Sequence, residues 1–93
     1  MEREELLILI ESKELIGVDL SGQRLEKIDF TGCRIERTSF KGCELIHCRF
    51  RNAKISWSDF RYAEVQHGTF EGAEIEFSDF YRAFIDGVVI FSG

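Results

Sequence analysis

The sequence contains no proline among its 93 residues. Without proline, the chain has no rigid proline-rich linker and no proline to break a helix or protect a sheet edge. It also lacks an apolar run of about eighteen residues or more, so we expect no membrane-spanning helix. Its first five residues hold three glutamates and one arginine, which is not the basic head of a signal peptide. We therefore expect a single small domain over residues 1–93.

Basic residues and cysteines are few as well. The chain has 12 Lys and Arg against 17 Asp and Glu, which gives a formal net charge of −5. Because there is no basic excess to meet phosphate groups, we expect no direct nucleic-acid binding. Three cysteines are an odd count in a chain without an export signal. That count favours a reducing compartment and predicts a cytoplasmic location.

A five-residue repeat runs through most of the chain. Every fifth residue from Ile10 to Ile90 is large and apolar, and the residue two before it is mostly small, as at Cys43, Ala53 and Ser58. Six of the eight glycines lie two residues after such a centre. Residues five positions apart do not share a face on a helix, and they do not share a face on a flat strand. The chain must therefore turn a corner in each unit, which suits glycine because it adopts positive φ without steric cost.

The spacing of phenylalanine sets the number of sides in each coil. A three-sided coil of fifteen residues would stack Phe on Ile, whereas a four-sided coil of twenty stacks like on like. The four columns are then Phe40, Phe60, Phe80; Phe30, Phe50, Phe70 on the opposite wall; Ile35, Ile55, Ile75; and Leu45, Val65, Ile85. The pattern favours the four-sided coil.

Three of these units carry a resemblance to a known family. Ile-Asp-Phe-Thr-Gly (28–32), Ser-Asp-Phe-Arg-Tyr (58–62) and Ala-Glu-Ile-Glu-Phe (73–77) resemble the repeats of the pentapeptide-repeat family. The resemblance covers residues 13–92, about four coils. It implies an all-β fold, a right-handed quadrilateral parallel β-helix with coils about 4.8 Å apart. It also implies a bacterial protein.

The first twelve residues precede the repeats. We predict that residues 1–12 form a short N-terminal helical cap over the core, because the ends of solenoids need covering. A first strand is the alternative, since residues 6–10 are too uniformly apolar to show helical periodicity. Lys13 and Gln23 depart from the small-residue position, so we expect an irregular first coil.

The residues with reactive side chains favour structural roles. Cys33, Cys43 and Cys48 occupy the inward small position, so we predict buried thiols that neither bind zinc nor act as nucleophiles. His47 and His67 differ by twenty residues and are predicted to stack on one corner. With Glu44 and Glu64, three residues before each, they could hold a metal weakly. The favoured interpretation is a surface column, so no catalytic, metal or cofactor site is predicted.

Outward aromatic and apolar residues collect in the last two coils. Aromatic residues mixed with arginine are typical of interface hot spots. The predicted partner-binding residues are Trp57, Tyr62, Phe77, Tyr81 and Arg82. The predicted dimer interface at the unprotected C-terminal end is Phe84, Val89 and Phe91. For the aromatic residues, the competing interpretation is that singly exposed rings need no partner. For the C-terminal end, the alternative is that a following domain has been removed from this chain.

The expected function is a non-enzymatic protein-interaction or scaffold module, with an unidentified protein partner and a homodimer through its C-terminal coil. The resemblance also implies an alternative, duplex-DNA mimicry on a type II topoisomerase (gyrase) that modulates quinolone sensitivity. Duplex DNA carries about one negative charge per 1.7 Å, so four coils spanning roughly 19 Å would need about eleven net negative charges. Residues 13–93 hold thirteen acidic and eleven basic residues, a net of −2. The charge therefore disfavours mimicry.

Overall fold

The computed structural model describes residues 1–86 and 91–92 and shows a parallel β-helix of about four turns behind one helix. In chain order the elements are α1 (Arg3–Ser12), β1 (Glu14–Ile16), β2 (Arg24–Glu26), β3 (Arg34–Glu36), β4 (Glu44–Ile46), β5 (Lys54–Ser56), β6 (Glu64–Gln66), β7 (Phe70–Glu71), β8 (Glu74–Glu76), β9 (Phe84–Asp86) and β10 (Phe91–Ser92). The predicted fold class is confirmed.

Helix α1 covers the N-terminal end of the core. Leu6 is 1% exposed, and Leu9 and Ile10 pack against the same apolar cluster. The helix ends where Lys13 adopts a left-handed conformation, with its N–H donating to the Ile10 carbonyl at 3.0 Å. The helical cap is thus confirmed over the strand alternative. Within the described part of the chain, no helix is long and apolar enough to cross a membrane.

Each coil contributes to four walls. Two walls are parallel sheets, with strand orders β1-β3-β5-β8 and β2-β4-β6-β9. Their register is twenty residues, as in the column that runs from Leu15 through Ile35 and Ile55 to Ile75. The other two walls are held mainly by single parallel bridges, together with the pairing of β10 with β7. We name them the Phe60 wall (residues 18–22, 38–42, 58–62 and 78–82) and, opposite it, the Phe50 wall (28–32, 48–52 and 68–72).

Two phenylalanine ladders fill the core between these walls. Phe60 lies between Phe40 and Phe80, with ring centroids 4.6 Å away on both sides. The ladder of the Phe50 wall, Phe30–Phe50–Phe70, has spacings of 4.6 and 4.8 Å. Rings of opposite walls meet edge to face at 5.8 to 6.4 Å, a favourable geometry for aromatic pairs. The predicted like-on-like stacking is confirmed.

The corners lie two residues after each inward centre. Every fifth residue from Gly17 to Arg82 has a positive φ. Where a side chain is present, this conformation costs roughly 1–2 kcal/mol through the contact of Cβ with the backbone. The non-glycine corners are Lys27, Arg37, His47, Asn52, Trp57, Tyr62, His67, Phe77 and Arg82. The predicted corner is therefore confirmed, and the backbone geometry is independent of glycine.

Two details of the predicted register are wrong. The first coil is regular, because β1 pairs with β3 and β2 with β4 in the common register. Lys13 causes no irregularity there since it caps α1, and Gln23 is accommodated half-buried. In the last coil Phe91 pairs with Phe70, a spacing of twenty-one residues. The pairing of β10 with β7 therefore departs by one residue from the twenty-residue register, and Ile90 lies outside the described residues.

Candidate functional site

The corner that precedes the Phe60 wall carries two stacked aromatic rings. Trp57 and Phe77 occupy this corner in consecutive coils, with φ of 54° and 52°. Their ring centroids are 4.7 Å apart and their planes differ by 12°. The side chains are nevertheless 60% and 70% exposed, because the corner points away from the core. The predicted stack is present and lies on the surface.

The corner at the other edge of the Phe60 wall carries the remaining predicted residues. Tyr62 meets Tyr81 edge to face, with centroids 6.0 Å apart. Arg82 Nε donates to the Tyr81 hydroxyl oxygen at 3.2 Å, and its guanidinium carbon lies 5.5 Å from the ring centroid. Such cation–aromatic contacts are favourable at exposed sites. We name the five residues Trp57, Tyr62, Phe77, Tyr81 and Arg82 the aromatic surface.

A polar strip separates the two corners. Arg61 Nε and Nη2 donate to both carboxylate oxygens of Asp59 at 2.8 to 3.1 Å. This side-chain hydrogen bonding holds the pKa of Asp59 below its usual range and raises that of Arg61. In the next coil Asp79 accepts the Tyr81 N–H at 2.9 Å. The strip is therefore nearly balanced in charge.

The predicted histidine column is also present. His47 and His67 lie with ring centroids 5.1 Å apart and planes 18° from parallel, on the corner between β4 or β6 and the Phe50 wall. Within residues 1–86 and 91–92, no group of three or more His, Cys, Asp or Glu residues could hold a metal ion. The histidines accordingly form a two-residue stack without a third ligand.

All three cysteines lie in the core, as predicted. Cys33, Cys43 and Cys48 are 0% exposed and unpaired. The Cys43 thiol donates to the Leu20 carbonyl at 2.8 Å and the Cys48 thiol to the Leu25 carbonyl at 3.3 Å. Burial raises the pKa of Cys43 and Cys48 to about 11, and it also raises that of Cys33. A protonated thiol is a poor nucleophile, so these residues offer no catalytic group.

The C-terminal end of the core is more open than the capped end. Phe70 is 0% exposed, whereas Ile85 is 40% and Phe84 59% exposed. Of the predicted dimer residues, Phe84 lies on β9 and Phe91 on β10, while Val89 is outside the described residues. Their role as an interface stays a prediction.

Comparison with known protein families identifies the family of this chain. A family model described as the pentapeptide repeat region matches residues 11–89. The chain belongs to the pentapeptide repeat family. No curated protein matches the chain.

Two pentapeptide repeat proteins of solved structure are similar to the chain. One, from the Arabidopsis thaliana thylakoid lumen, is 23% identical with a TM-score of 0.44. The match covers 76% of this chain and 61% of the plant protein, so the chain spans less than two thirds of that relative. The other, Rfr23 from the cyanobacterium Cyanothece 51142, is 12% identical with a TM-score of 0.40, covering 96% of this chain and 98% of its own.

One feature of this pentapeptide repeat protein was missed in the sequence. A cleft of about 530 Å³ is lined by Lys27, Ile28, Asp29, His47 and Arg49. The signal was available, since Lys27 and His47 differ by twenty residues, as do Asp29 and Arg49. Two columns two residues apart therefore form one site. A single column, such as His47 with His67, does not contain all the residues that line this cleft.

Proposed function

We propose that this pentapeptide repeat protein is a non-enzymatic interaction module whose aromatic surface binds a partner protein. Members of the family are generally structural or interaction modules. The observation that carries the proposal is the exposed Trp57–Phe77 stack. Positive φ penalises a side chain at these corners, and rings that are 60% and 70% exposed recover little hydrophobic free energy. A bound protein would bury them.

The charges around the aromatic surface favour a protein over a nucleic acid. Asp59 and Asp79 offset Arg61 and Arg82, so this surface has no excess of positive charge to meet a phosphate backbone. Aromatic residues with arginine at the centre of a patch are typical of protein hot spots. The bidentate Asp59–Arg61 pair favours one arrangement of the strip between the rings.

Affinity capture from source-cell extract, followed by direct binding to the purified captured protein, tests the proposal. We compare wild type, Trp57→Ala with Phe77→Ala, and a control, Ile8→Ala with Ile16→Ala, whose side chains are 67% and 47% exposed elsewhere. We expect the control to bind like wild type and the aromatic variant to bind at least about tenfold more weakly. Equal affinities for all three would contradict the proposal.

The arrangement of ion pairs argues against duplex-DNA mimicry. Arg34 lies 3.7 Å from Glu14 in the preceding coil, and Arg51 lies 3.5 Å from Glu71 in the next. Basic side chains thus interrupt these acidic columns along the axis, whereas a mimic of DNA needs unbroken rows of negative charge. We accordingly expect no effect on DNA supercoiling by gyrase, with or without a fluoroquinolone. The bacterial, cytoplasmic setting stays a prediction.

We also propose that a second copy of the chain docks on the open C-terminal end. On the wall built by β2, β4, β6 and β9, Ile85 is 40% exposed, whereas its neighbour Val65 in the preceding coil is 0% exposed. Among the described strands, β8 and β9 are the last in their sheets and have no further partner. An identical open end can pair with such an edge about a two-fold axis.

A further inference from the structure

The cleft lined by Lys27, Ile28, Asp29, His47 and Arg49 lies away from the aromatic surface. It is formed by the corner before the Phe50 wall and by that wall itself, which is opposite the Phe60 wall. It is an open depression of about 530 Å³, in which Ile28 is buried and Lys27, Asp29, His47 and Arg49 are exposed. The site is therefore independent of the proposed protein-binding surface.

The backbone fixes the positions of the cationic residues in this cleft. Lys27 and His47 share a corner column, with φ of 55° and 54°. The Lys27 N–H donates to the Ile46 carbonyl at 2.9 Å, and the Arg49 N–H donates to the Ile28 carbonyl at 3.0 Å. Both residues therefore start from the regular hydrogen-bonded ladder in adjacent coils, and both line the same cleft.

The cations of the cleft form no direct salt bridge among the described residues, although the charge of Arg49, after the hydrogen bond from Thr31, helps to lower the pKa of Asp29. Within the described residues, neither Lys27 nor Arg49 makes an ion pair or a side-chain hydrogen bond, whereas Arg51 lies 3.5 Å from Glu71. Asp29 is the one carboxylate lining the cleft, and its Oδ1 accepts the Thr31 N–H at 3.0 Å. The lining therefore carries a net positive charge even with His47 neutral.

We propose that this cleft binds a small soluble anion of the phosphate class. Lys27 supplies a point charge, and the planar Arg49 guanidinium can donate two parallel hydrogen bonds to phosphate oxygens. His47 adds a donor from the same corner. Asp29 repels the negative charge of any phosphate group, but it can accept a hydrogen bond from a hydroxyl group farther along the ligand. We therefore expect a phosphomonoester whose carbon chain carries a hydroxyl group to bind more tightly than inorganic phosphate. One lysine and one arginine side chain are too few to bind a DNA backbone or an anionic membrane.

A ¹H–¹⁵N NMR titration at constant ionic strength tests the proposal, with glycerol 3-phosphate, inorganic phosphate and sodium chloride as probes. We expect saturable shifts at Lys27, His47 and Arg49 with the phosphates alone. Arg49→Gln should weaken binding about tenfold or more, because it removes a charge-assisted contact. The matched control Arg51→Gln lies on the same wall and should change the affinity less than about twofold.

The two phosphate probes distinguish the sources of the anion. Tighter binding of glycerol 3-phosphate indicates a phosphomonoester, and equal binding indicates free phosphate. Linear shifts that sodium chloride reproduces would overturn the proposal, as would equal weakening by Arg49→Gln and Arg51→Gln. Lys27→Gln provides a second variant, and the thermal midpoints of all three exposed-site variants verify that they fold.

Discussion

Each inward phenylalanine is held by rings in the coils above and below it. Phe60 is 0% exposed between Phe40 and Phe80, so Phe60→Ala leaves a cavity and should cost about 3–5 kcal/mol of unfolding free energy. Phe77→Ala is the matched control, because that ring is 70% exposed and loses only a surface stack of about 1 kcal/mol. Urea denaturation measures both. Equal losses would show that the inward register is wrong.

The buried thiols predict a pH dependence of stability. Burial raises the pKa of Cys43 and Cys48 from 9.0 to about 11 in the folded protein. Unfolded thiols release their protons at lower pH than folded ones, so this stabilisation is complete below about pH 9 and is lost as the pH rises towards 11. We expect the unfolding free energy of wild type to fall over this range by more than that of Cys43→Ala with Cys48→Ala. Parallel slopes would contradict the burial effect.

Thiol labelling is an independent measurement on the same residues. Cys33, Cys43 and Cys48 are 0% exposed, so a thiol reagent at neutral pH should react only slowly with the native protein. After denaturation the reagent should label all three cysteines. Mass spectrometry counts the labels. Rapid native labelling of even two cysteines would show that they do not lie in a closed core.

Among the described elements, helix α1 closes the N-terminal end of the core. Leu6 is 1% exposed under this helix, whereas Ile8 is 67% exposed on its outer side. Leu6→Ala should therefore cost about 2–5 kcal/mol, and Ile8→Ala, on the same helix, less than about 0.5 kcal/mol. Thermal and urea unfolding measure the difference. If both variants unfold like wild type, the helix does not cap the core.

The five-residue pattern in the sequence predicted the strands and inward residues well, because one backbone geometry repeats. Phe50 and Phe60 are inward since each centre is followed, two residues later, by a corner of positive φ. Helix α1 was harder to predict, because residues 6–10 are uniformly apolar and their spacing does not distinguish a helix from a strand. Lys13 was predicted to make the first coil irregular, because the end of the helix was not recognised. Its left-handed conformation belongs to the C-terminal end of α1.

The candidate site was predicted in part. The twenty-residue spacing brought Trp57 together with Phe77, because stacking depends only on the coil length. The contact of Tyr62 with Tyr81 depends on side-chain rotamers and on nineteen residues of separation, which no column predicts. The same holds for the phosphate-class cleft, where Lys27 and Arg49 come from adjacent coils and neighbouring columns.

For the whole molecule, the two ends of the β-helix differ in burial. At the capped end Leu15 and Leu20 are 0% exposed, whereas at the other end Ile85 is 40% exposed. In a solenoid each coil is stabilised mainly by its neighbours. The exposed inward residue Ile85 is therefore where we expect a second copy to contact the described part of the chain.

Self-association through that end should respond to salt in a specific direction. Residues 62–93 hold six acidic residues and one basic residue, so two C-terminal ends repel each other when they meet. Salt screens this repulsion, and we expect dimerisation at roughly tens of micromolar to become stronger as the salt concentration rises. Sedimentation across concentration and salt series measures it. A partner with a basic rim would show the opposite dependence.

Matched variants determine which end is responsible. Phe84→Glu replaces a side chain that is 59% exposed on β9 and adds a negative charge to an acidic end, so it should disperse the dimer. Ile16→Glu replaces one that is 47% exposed in the first coil and should leave the dimer intact. A protein that stays monomeric at every salt concentration would contradict the proposed dimer. Dispersal by Ile16→Glu instead would place the contact at the capped end.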